Sequence, residues 1–143
     1  MNVKIKSLFI GIVAGVIVAC ISVYLLGYLA AISYPASLFV WAIDHSVLGV
    51  FTSAIQFIEL LLGACILAAL VSYFLAKKLT VSWAYLASAF VIAQALGAYL
   101  FVAHLSGQVF NETKHFLLYL PYLMTTSLCV FVSSYWGGTR QHA

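Results

Sequence analysis

Charge is what this sequence most conspicuously lacks. Of its 143 residues only six are Lys or Arg and three are Asp or Glu, whereas 66% are hydrophobic. A soluble domain of this size cannot bury so much apolar surface, because small domains have too little interior. The net charge of +3 is also too small to predict a nucleic-acid-binding surface. With a mean hydropathy of +1.16, the sequence predicts an integral membrane protein whose first partner is the lipid bilayer.

Motifs of known chemistry are absent as well. Cys20, Cys65 and Cys129 lie in apolar runs with no CxxC or Cys/His spacing, which favours small buried side chains over disulfides or metal ligands. The sequence has no Walker loop, dinucleotide fingerprint, zinc signature or nucleophile elbow. We therefore predict no catalytic residue, no metal site and no cofactor. An enzyme is the least favoured class, because His, Asp, Glu and Arg do not cluster at either interface.

Long apolar runs are what the chain has in abundance. A membrane-spanning helix needs about 20 apolar residues, and four runs satisfy this length: residues 8–32, 47–76, 81–104 and 116–136. The first exceeds a signal-peptide core of about 7–15 residues, so we predict an uncleaved anchor. Residues 36–46 are too short to span and predict a segment at the membrane interface. The fold class is therefore all-α, an integral membrane four-helix bundle forming a single transmembrane domain over residues 1–143.

The basic residues predict the orientation of these spans. If the four helices alternate across the membrane, one side receives Lys4, Lys6, Lys77, Lys78 and Arg140. The other side receives Asp44, Glu112 and a single base, Lys114. Because cytoplasmic loops carry an excess of Lys and Arg, we predict a multi-pass protein of the inner (plasma) membrane. Both termini then face the cytoplasm.

Glu59 is the only acid inside a spanning run, and Gln56 precedes it by about one turn. An ionisable group in a bilayer costs about 2.5–3.5 kcal/mol on insertion scales and marks a functional candidate. Glu59 stands 18 residues before Lys77, a rise of about 27 Å in a helix. If Lys77 lies at the inner surface, Glu59 is near the outer edge of the bilayer. If the helix tilts and centres, Glu59 is near the midplane.

Gln94 is the strongly polar residue inside the third span. Only four residues separate the second and third spans, which predicts a tight antiparallel hairpin in which Gln94 could reach Gln56 or Glu59. The alternative for Gln94 is a structural hydrogen bond between helices. His104, at the outward end of the same span, is either a solvated interface residue or a member of this polar cluster. The candidate site is thus Glu59, Gln56, Gln94 and His104.

Small residues predict where the helices pack. Gly11 and Gly15 in the first span, and Ala93 and Gly97 in the third, have the small-xxx-small spacing that allows close approach in a bilayer. Gly137 and Gly138 predict the end of the fourth helix. The many aromatic residues, Tyr122 among them, are expected at the membrane interfaces.

Two functions compete. The lack of catalytic groups and the small-residue stripes favour an accessory or interaction subunit of a larger membrane assembly, a class that includes immunity and exclusion modulators. Its partner would be another membrane protein or further copies of the chain. The alternative is an oligomeric small transporter or proton-coupled carrier, in which Glu59 titrates while Gln56 and Gln94 line the path.

Overall fold

The computed structural model describes residues 2–32, 34–106 and 113–140, and the side chains of residues 103–119 lie outside that description. The described part of the chain is helical and has no strand. Its α-helices are α1 (Val3–Ala30), α2 (Ala36–Asp44), α3 (Leu48–Leu60), α4 (Ile66–Lys78), α5 (Trp83–Ser106) and α6 (Thr113–Thr139). A five-residue π-helical segment, Leu61–Cys65, joins α3 to α4 and is called the π segment below.

Among the described residues, three helices are long and apolar enough to cross a membrane: Val3–Ala30, Leu48–Lys78 and Trp83–Val102. They correspond to the first three predicted spans and confirm a helical membrane protein. The first span begins five residues earlier than predicted, because the Asn2 side chain accepts a hydrogen bond from the Lys4 backbone N–H at 3.1 Å and caps the helix. The short segment after Pro35 is a helix, α2, of nine residues.

α1 packs most extensively on α5, and the two helices run parallel. A Cβ placed on Gly15 would lie 2.9 Å from the Cβ of Ala93, and one on Gly97 would lie 3.1 Å from the Cβ of Ala19. Residue numbers therefore increase in the same direction along α1 and α5, as they do in a parallel pair. The backbones approach this closely because the facing residues are small, which is how helices gain packing energy in a bilayer. Gly11 lies in the same contact, one turn before Gly15.

α4 packs on α6, again in parallel. The hydroxyls of Ser72 and Ser133 are hydrogen-bonded at 2.6 Å, and a Cβ on Gly137 would lie 2.5 Å from the carbonyl oxygen of Tyr73. The prediction that Gly137 ends the helix is wrong, because α6 continues to Thr139. The glycine instead lets the two backbones approach.

The predicted hairpin of the second and third spans does not form a tight pair. α4 and α5 follow each other closely in the chain, but α4 packs mainly on α6 and α5 mainly on α1. The small residues facing one another in these two pairs permit closer backbone contact than the bulkier faces of α4 and α5 would. α4 and α5 are therefore consecutive in the chain but make only minor contacts with each other.

Four helix ends meet at one end of the bundle: the starts of α1 and α5 and the ends of α4 and α6. The Lys6 ammonium donates to the Thr80 hydroxyl at 3.5 Å, and the Ser82 backbone N–H donates to the Ser7 hydroxyl at 2.8 Å. A Cβ on Gly138 would lie 2.9 Å from that of Trp83, which brings the end of α6 to the start of α5. We call this the basic end, because it gathers the five described basic side chains: Lys4, Lys6, Lys77, Lys78 and Arg140.

Candidate functional site

α3 is the most loosely packed long element of the described chain. None of its residues is buried, whereas α1 and α4 each bury several. Tight packing of this span begins at the π segment, where Gly63, Ala64 and Cys65 are buried and a Cβ on Gly63 would lie 3.0 Å from the Leu26 side chain. The span is thus divided into an open half and a packed half.

The π segment marks this division. The Ile66 backbone N–H donates to the carbonyl of Leu61, five residues earlier, so one extra residue is accommodated in the turn. Short π-helical turns within α-helices are frequent at functional sites. The sequence does not predict this π segment, because the residues around it are ordinary helix formers in an apolar run.

A cavity of about 630 Å³ separates α3 from α1, α5 and α6. Its walls are largely apolar and include Val23, Ser53, Gln56, Phe57, Ala98 and Tyr122. Ligand sites in proteins are commonly about 300–1,000 Å³, apolar with a few polar groups, and in bundles they lie between helices. The cavity has that size, composition and position.

The polar groups of the cavity differ in how they are satisfied. Ser53 donates its hydroxyl proton to the carbonyl of Gly49 at 2.8 Å, within its own helix. Gln56 is exposed, and within the described residues its amide has no hydrogen bond. Tyr122 is only 8% exposed and accepts a hydrogen bond at 3.3 Å from the Gln94 amide nitrogen. Gln56 is therefore the polar group available to something that enters the cavity.

Gln94 is 2% exposed and ties α5 to α6 through Tyr122. The contact with Gln56 or Glu59, which a hairpin would have allowed, is not formed, because α5 packs on α1 and α6 rather than on α3. Tyr122, which the sequence analysis expects at a membrane interface, has its side chain buried between helices. Gln94 instead forms a hydrogen bond between helices, which is the other alternative that the sequence allows.

Glu59 has a partner that sequence reasoning missed. The phenol of Tyr34, between α1 and α2, donates to a carboxylate oxygen of Glu59 at 3.2 Å. Partial burial first, and then the hydrogen bond and charge of Glu59, raise the pKa of Tyr34 above its ordinary value. The phenol therefore keeps its proton at neutral pH and remains a donor. No spacing rule pairs residues 34 and 59, which lie on different elements.

The four predicted site residues are thus distributed rather than gathered. Gln56 faces the cavity, Glu59 binds Tyr34, and Gln94 lies behind Tyr122. His104 lies on α5, but its side chain is outside the described ones. Among the described side chains no three His, Cys, Asp or Glu residues group as metal ligands would. No protein-family model, no curated protein and no solved structure matches this chain.

Proposed function

We propose that this protein is an interaction subunit of a larger membrane assembly and that the open face of α3 is where its partner binds. The observation that carries the proposal is the absence of any buried residue in α3. Helices in a bilayer gain stability from close mutual packing, and α1 and α4, unlike α3, each bury several residues. A partner helix against α3 would supply the packing that the chain itself does not.

The chemistry of the α3 face indicates what such a partner offers. Phe57 is 50% exposed and lines the cavity, and Val50 and Ile58 are more exposed still. From Leu48 to Ile58 the helix carries no charge, and the nearby Glu59 already accepts a hydrogen bond from Tyr34. The complementary surface is therefore an apolar helix, with Gln56 as its one polar contact. A helix of another membrane protein or of a second copy would fit.

The orientation belongs to the same proposal. α6 is the fourth span, and the basic end faces the cytoplasm of a cell with the protein in its inner (plasma) membrane. Support comes from the five basic side chains that meet at one end of the bundle, as the positive-inside rule requires. Both termini then lie in the cytoplasm, and the α2–α3 connection lies outside.

Native mass spectrometry of the gently solubilised protein tests the interaction. We expect the 15.6 kDa chain in a larger complex, whose mass identifies either further copies or a second protein. Phe57→Ala should weaken that complex, and Phe74→Ala provides the matched control, because Phe74 is also 50% exposed but lies on the packed α4. A protein that remains monomeric in wild type and both variants contradicts the proposal.

A small proton-coupled carrier is the second candidate, and the cavity with Gln56 on its wall is what favours it. Four helices enclose little volume, so such a carrier would act as an oligomer. Glu59→Gln removes the titratable proton while leaving an amide oxygen that accepts from Tyr34. Proton uptake by proteoliposomes, followed with a pH-sensitive dye, should then fall to background. Undiminished uptake removes Glu59 from any transport role.

A further inference from the structure

A second apolar groove runs along the α1–α5 pair and shares none of its lining residues with the cavity beside α3. It measures about 610 Å³. On α1 it is lined by Leu8, Ile12, Val16 and Cys20, and its α5 wall includes Ala93 and Gly97. The small residues of the packing contact make its floor, and the larger side chains beside them make its walls.

The groove is about as long as one leaflet is thick. Leu8, Ile12, Val16 and Cys20 recur every four residues, so they form one ridge that is inclined to the axis of α1. From Leu8 to Cys20 the helix rises about 18 Å. Half of a hydrocarbon core of about 30 Å is about 15 Å. A single acyl chain extended from the membrane surface would therefore follow the groove for the thickness of its leaflet.

A cation stands at the surface end of this groove. Lys4 is about one turn before Leu8 on the same inclined ridge, and its ammonium lies 5.4 Å from the centre of the Tyr85 ring. Tyr85 in turn precedes Ala89, another groove residue, by one turn of α5. Lys4 is thus held across both helices that form the groove, where it meets the headgroup region.

The charge at this end is uncompensated among the described side chains. Lys6 lies beside Thr80 at the same end. The two described acids lie away from this end of the bundle. Glu59 contacts Tyr34, which follows the C-terminal end of α1, and Asp44 is the last residue of α2. The groove therefore combines a positive mouth with an apolar length.

We propose that this groove binds an anionic phospholipid, with its phosphate at Lys4 and one acyl chain lying along the α1–α5 seam towards Cys20. An apolar partner helix would leave the Lys4 ammonium without a counter-charge. A zwitterionic lipid brings its own cation to the same place. Basic residues near a membrane surface attract anionic lipids by about 1 kcal/mol each, which corresponds to about a fivefold preference.

A photoactivatable lipid tests the proposal. Purified protein is reconstituted with either phosphatidylglycerol or phosphatidylcholine that carries the same diazirine-labelled acyl chain, and the cross-linked peptides are quantified. With phosphatidylglycerol we expect about fivefold more adduct on the peptide containing Ile12 and Val16 than with phosphatidylcholine. Ile66 and Leu70 on α4 serve as the internal reference, because they are similarly exposed but line neither groove nor cavity.

Two variants separate a bound lipid from a diffuse attraction. Lys4→Gln should abolish the preference for phosphatidylglycerol at the groove, whereas Lys78→Gln, the same charge change at the same end, should leave it. Both lysines are exposed, so neither change threatens folding. Equal loss in both variants, or adducts spread evenly between the groove and the α4 reference, would overturn the proposal.

Discussion

Gly15 of α1 lies directly against the backbone of α5 at Phe90: a Cβ at position 15 would come within 2.5 Å of the Phe90 carbonyl oxygen. Backbone cannot move aside as the end of a flexible side chain can. The contact between α1 and α5 therefore depends on the absence of a side chain at this position, and the neighbouring groove depends on the same contact.

Gly15→Ala should destabilise the protein. Overpacking of a close contact costs about 1–3 kcal/mol, which outweighs the gain of up to about 1 kcal/mol in helix propensity. Gly27→Ala is the matched control, because nothing lies within 4 Å of a Cβ at position 27 of the same helix. It should be neutral or slightly stabilising. Thermal unfolding in detergent measures both, and equal behaviour of the two variants would show that α1 does not pack on α5 in this way.

The buried hydrogen bond between Gln94 and Tyr122 should contribute modestly. Hydrogen bonds between membrane helices average about 0.6 kcal/mol and reach at most about 1.7 kcal/mol in double-mutant cycles. Gln94→Leu, Tyr122→Phe and the double variant form the cycle, which isolates the pair from other contacts of Tyr122. We expect a coupling free energy within that range. A coupling of zero would mean that Gln94 and Tyr122 act independently.

Cysteine labelling should report the orientation. In a variant whose three native cysteines are replaced, Thr80→Cys should react with a membrane-impermeant maleimide only after the cells are permeabilised, because residue 80 lies at the basic end beside Lys6. His45→Cys, an exposed position after α2, should react in intact cells. The reverse pattern would invert the topology, and labelling of both from outside would contradict a spanning bundle.

The sequence was sufficient for the helices but not for their partners. Long apolar runs specify spans because lipid requires every backbone polar group to be satisfied within the helix, and three of these spans are present as expected. The sequence also predicted the small-residue stripes that contain Gly15 and Ala93. The sequence did not predict which stripes pack against each other, because a small-residue pattern describes one helix surface and carries no information about the opposing one.

The candidate site was predicted only in outline for the same reason. Glu59 and Gln56 stand out in an apolar run, but their surroundings come from other elements, such as Tyr34, whose position follows from the turn after α1. The alternative in which Gln94 reaches Gln56 or Glu59 assumed that sequential helices pack together. The π segment and the open α3 likewise arise from tertiary packing, which no local pattern encodes.

The central claim, that α3 presents its open face to a partner helix, is tested most directly by cross-linking within the native membrane. A photoactivatable amino acid replaces Phe57 on α3 or, as control, Phe74 on α4, both of which are 50% exposed. We predict a discrete protein adduct of defined mass from position 57 and only lipid adducts from position 74. Lipid adducts alone from both positions would contradict the claim.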